Sequence, residues 1–74
     1  MDIDKFNLPT PKRFDATIKE SSDIKYVGDT VITDLKTAMF NDGNRIDITG
    51  RMHLGNGVWR LWADDFFMTV EEIQ

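Results

Sequence analysis

His53 is the only histidine in the chain, and no cysteine accompanies it. A nucleophile triad or metal site built on it would have carboxylates alone as helpers, because thiolate ligands are absent. Alternation along its segment places His53 on the polar side of a strand, away from the burial that tunes a catalytic imidazole. Asp42, Asn44 and Asp47 resemble part of a calcium loop. Their spacing departs from the calcium-binding pattern, and no downstream glutamate closes the shell. A tight turn explains them without an ion. Asp64-Asp65 and Glu71-Glu72 are adjacent acidic pairs. Neighbours on an extended strand point to opposite faces, so neither pair is built to share a proton in one cleft. They suit solubility and protection of the apolar strand between them. The glycines fall at turns or at a bend, and none forms a phosphate-cradling loop. The expectation is therefore no catalytic residue, no metal site and no cofactor.

Trp59-Arg60-Leu61-Trp62 is the most informative stretch. On a strand, Trp59 and Leu61 face one side, while Val58, Arg60 and Trp62 face the other. Whichever side is the core, the opposite side carries a tryptophan. With Trp59 and Leu61 inside, Arg60 and Trp62 lie outside, and Phe67 becomes a cross-strand neighbour. Tryptophan and arginine are the residue types most enriched where partners bind. Arg60, Trp62 and Phe67 are thus the candidate partner-binding residues. The alternative is a second small core, with Trp62 covered by Phe6 or Leu8.

The elements that must position these side chains are legible from periodicity. Residues 1–13 read as an extended arm, because Pro9 and Pro11 fix the backbone and disfavour helix before them. Residues 14–74 form a single domain. Phe14, Ala16 and Ile18 alternate with polar neighbours, and Ile24–Val27 resumes the alternation after Ser21-Ser22-Asp23. Gly28-Asp29 has the form of a two-residue hairpin turn. Thr30–Phe40 carries apolar residues on both faces, which fits a central or bent strand. Asn41–Asn44 is a turn, and Ile46, Ile48, Met52 and Leu54 then share one face of a long strand with Gly50 at an inward position. Gly55-Asn56-Gly57 closes a hairpin with Val58–Ala63, and Phe66–Val70 follows Asp64-Asp65. The predicted fold is mostly β with little helix: a small antiparallel barrel or strongly coiled sheet of five or six strands. Phe14, Ile18, Val31, Leu35, Ile46, Ile48, Met52, Leu54, Trp59, Leu61, Phe66 and Val70 form the expected core.

The chain has 74 residues and a formal net charge of −4. Domains of this size hide only ~60% of the unfolded surface, so a dimer formed through the arm or a sheet edge is expected. The opening Met-Asp-Ile-Asp-Lys lacks the basic start and apolar run of a signal peptide. With no long apolar run and no cysteine, a cytoplasmic protein without a membrane span is expected. The leading functional expectation is a non-enzymatic protein-interaction module: a small inhibitor, adaptor or assembly subunit of the kind phages and mobile elements encode. Acidic residues at the rim of its face would steer a basic partner. The second is a small barrel that stacks single-stranded nucleic acid on Trp62 beside Arg60, Arg45 and Arg51, which the negative charge disfavours. The third is an acidic mimic of nucleic acid, ranked lower because the carboxylates are interleaved with basic residues.

Overall fold

The computed structural model describes residues 13–73. The expected arm thus lies outside the described residues, apart from Arg13. Seven strands follow: β1 (Phe14–Ser21), β2 (Thr30–Thr33), β3 (Thr37–Phe40), β4 (Arg45–Asp47), β5 (Gly50–Gly55), β6 (Val58–Ala63) and β7 (Phe66–Glu72). The count exceeds the expected five or six because two segments read as single strands are each divided. Thr30–Phe40 is the β2–β3 hairpin, turning at Asp34-Leu35-Lys36. Asp34 Oδ1 accepts from the backbone N–H groups of Lys36 and Thr37 at 2.9 and 2.8 Å, which ties the turn without a glycine. The expected strand at Ile24–Val27 is instead one turn of 3-10 helix, Ile24–Tyr26, capped by Asp23. Gly28-Asp29 accordingly ends a longer loop, with the Gly28 N–H donating to the Ile18 carbonyl at 2.8 Å.

Every strand pairing is antiparallel, and the sheet order is β4-β3-β2-β1-β7-β6-β5. Each strand therefore pairs with its neighbours in sequence, except at one place. β4 and β5 occupy opposite edges of the sheet, although only Ile48 and Thr49 separate them. The Ile48 N–H donates to the Lys36 carbonyl at 2.8 Å, and the Thr49 N–H donates to the Trp62 carbonyl at 2.8 Å. The chain leaves one edge and enters the other within a residue. Only a sheet curled into a half-barrel permits this. The β1–β7 pairing brings the two ends of the described chain together, with the Ile73 N–H on the Asp15 carbonyl at 2.9 Å.

The concave side holds the core: Ala16, Ile18, Val31, Leu35, Ala38, Phe40, Ile48, Leu61, Met68 and Val70, closed at one end by Tyr26. Tyr26 stacks on Phe40 with ring centroids 4.1 Å apart, and Phe66 meets both rings edge-on. Such pairs add ~0.5–1.5 kcal/mol each beyond the area they bury. The Tyr26 hydroxyl reaches outward to Asp42 at 3.2 Å. Of the expected core, Ile18, Val31, Leu35, Ile48, Leu61 and Val70 are buried, and Phe14, Ile46, Trp59 and Phe66 pack against it half-buried. Met52 and Leu54 are not part of it.

Candidate partner-binding face

Where Met52 and Leu54 point follows from the passage between the two sheet edges. Ile48 is buried in the core, and alternation alone would keep Gly50, Met52 and Leu54 on the same side. Instead Gly50 pairs with Trp62, whose neighbours Leu61 and Ala63 are the buried ones. Cross-strand partners share a face, so β5 enters the sheet slipped by one residue, and such a slip turns every side chain over. Met52 and Leu54 emerge on the convex side with 53% and 49% of their surface exposed.

Two transverse rows then organise this face. Gly50, Trp62 and Phe67 lie side by side across β5, β6 and β7. The Trp62 ring lies over Gly50: a Cβ added there would sit 3.2 Å from Trp62 Cε3, so the missing side chain makes room for the indole. In the next row stand Met52, Arg60, Thr69 and Glu20. Arg60 Nε donates to Thr69 Oγ1 at 2.7 Å, Arg60 Nη2 donates to Glu20 Oε1 at 3.1 Å, and the Thr69 hydroxyl donates to the same Glu20 oxygen at 3.3 Å. The guanidinium carbon lies 5.4 Å from the Phe67 ring centroid. Phe67 is pinned in turn, since its N–H donates to Ser22 Oγ at 3.1 Å and its carbonyl accepts the Ser22 N–H at 2.9 Å. The three residues singled out by alternation thus do converge on one face. Gly50, Met52, Glu20 and Thr69 were not singled out, and the signal that could have found Gly50 is a glycine lying opposite an aromatic.

Residues 48–63 hold not one carboxylate, in a chain with thirteen acidic residues; Arg51 and His53 lie on the opposite face, and Arg60 on this one. Acidic groups stand along its other margin, at Glu20, at Glu71 paired with Lys19 at 3.5 Å, and at the Asp64-Asp65 turn.

The other residues considered for chemistry take these places in the fold. His53 is exposed and stacks on Trp59 with centroids 4.3 Å apart. Asp42 braces its turn by accepting from the Asn44 N–H at 3.0 Å. That bond, with the Tyr26 hydroxyl behind it, lowers the carboxyl's pKa from its ordinary value. Asp34 is lowered likewise, first by the Thr37 N–H and then by that of Lys36. No group of metal-ligating side chains occurs among the described residues. Nor is any helix among them long and apolar enough to cross a membrane. On the convex side of β1–β4, exposed Ile32 and Met39 form a ridge between two open depressions of about 280 and 300 Å³. No protein-family model matches the sequence, and comparison with curated proteins and with solved structures finds no match.

Proposed function

We propose that this chain is a non-enzymatic protein-interaction module, an inhibitor, adaptor or assembly subunit, that docks through the convex face of β5, β6 and β7. The observation that carries the proposal is the exposure of Met52 and Leu54 on the face that also carries Trp62 and Phe67. A chain of this size has few large apolar side chains to spare, and a slip that turns two of them outward onto the face of an aromatic pair sets apolar groups around Arg60, the kind of surface partners cover. Arg60 sits at its centre, already held by Glu20 and Thr69 and resting on Phe67, so little side-chain entropy remains to be lost on contact. The same Glu20 counts against single-stranded nucleic acid as the ligand, because it offsets the cation that a phosphate would need.

A pull-down with the full chain, followed by titration of the captured protein, tests this. Trp62→Ala is expected to weaken binding by ~2 kcal/mol or more while leaving a cooperative unfolding transition. Unchanged affinity in the folded mutant would refute the docking face.

A further inference from the structure

β5 is an open edge. Among the described residues it pairs with β6 alone. An edge strand presents backbone donors and acceptors outward, ready to take a further strand. Its side chains are sorted by face: Met52 and Leu54 lie on the convex side, Arg51 and His53 on the other, and all four are exposed. Arg51 makes no ion pair among the described residues, and its hydrogen bond to the Leu35 carbonyl is long, at 3.4 Å. No carboxylate lies anywhere in residues 48–63 to serve it.

Directly opposed residues on antiparallel strands share a face. A strand complementary to this edge therefore sets apolar residues against Met52 and Leu54, and acidic residues against Arg51 and His53. A second copy of β5 fails that requirement. The central registers that keep the faces aligned put Arg51 opposite His53, or His53 opposite His53, and supply no acid. We infer that β5 receives an extended segment of a partner protein in which acidic and apolar residues alternate, adding an eighth strand to the sheet. This rests on the protein-interaction function proposed above and specifies the partner's chemistry. Backbone pairing supplies affinity, and the two side-chain rows supply register and selectivity.

A display library of random short peptides, panned against the full chain, is the probe. Enriched sequences should alternate acidic and apolar residues and should shift the backbone amide resonances of Arg51–Leu54. Arg51→Glu should turn the selection toward basic residues and weaken the original peptides at least about tenfold, the scale of a reversed charge pair. Arg51→Gln, with neither charge, should fold normally and lose the acidic preference without gaining a basic one. No enrichment, enrichment without alternation, a selection indifferent to Arg51→Glu, or a concentration-dependent dimer perturbing the same amides would each overturn the inference. Trp62→Ala separates the two proposals. If selected peptides and captured partner both ignore that substitution, the aromatic face fails while the edge stands; if the partner loses affinity but Arg51→Glu changes nothing, the reverse holds.

Discussion

Leu35 shows how much a single side chain can cost and still be kept. Its φ is 72°, a left-handed conformation that ordinarily costs a residue with a Cβ ~1–2 kcal/mol. The conformation tucks the side chain into the core, where it is almost fully buried, and Thr33 Oγ1 accepts its N–H at 3.0 Å. Burying a leucine contributes ~1.5–3 kcal/mol, enough to offset the strain. Asp34, one residue earlier, holds the same turn through its carboxylate, and this gives a pH signature. The folded pKa lies below the ordinary 3.8, so the stabilisation is fully present above that value and is lost as pH falls through the depressed one. Asp34→Asn keeps the shape and one acceptor but cannot titrate. Urea unfolding at about pH 6 and about pH 3 should show a smaller loss of stability on acidification in Asp34→Asn than in the parent. Equal losses would mean that the turn contributes nothing to acid sensitivity.

The strands themselves were largely legible, and the places where they were not have physical causes. Phe14–Ile18 alternates cleanly, Val58–Ala63 is set off as a strand by the turns on either side of it, and Asn41–Asn44 and Gly55–Gly57 turn where asparagine, aspartate and glycine accept positive φ; Asn56 and Gly57 stand at 54° and 76°. The β2–β3 hairpin was hidden because Leu35, an apolar residue without special turn chemistry, occupies its left-handed position. The slip before β5 was hidden for a different reason. Ile46, Ile48, Met52 and Leu54 keep period two straight through it, and periodicity cannot report that the partner strand has changed. Arg60, Trp62 and Phe67 were brought to one face by alternation that the slip does not touch. The orientation of β5 can be checked by truncation. Met68→Ala, in the core, should cost ~2–5 kcal/mol, and Met52→Ala should cost less than ~1 kcal/mol. Similar losses from the two substitutions in chemical denaturation would place Met52 back in the interior.

At the scale of the whole molecule, all but one pairing is a local hairpin or meander. The exception, β1 with β7, joins residues as far apart as Ala16 and Glu72. Because of it, the sheet is interrupted not where the described chain starts and stops but between β4 and β5, in mid-chain. The Asp15 carbonyl and the Ile73 N–H already touch. The connectivity is thus nearly a ring, and a ring can be opened elsewhere. Linking residue 73 to residue 13 through a few glycines, with new termini at Asn56-Gly57, should yield a circular permutant with the parent's far-UV spectrum and a cooperative melt, since exposed hairpin tips tolerate a break. Opening the ring at Ile48-Thr49 instead cuts the direct covalent tie between the two sheet edges, and that permutant should melt lower and lose the burial of Ile48.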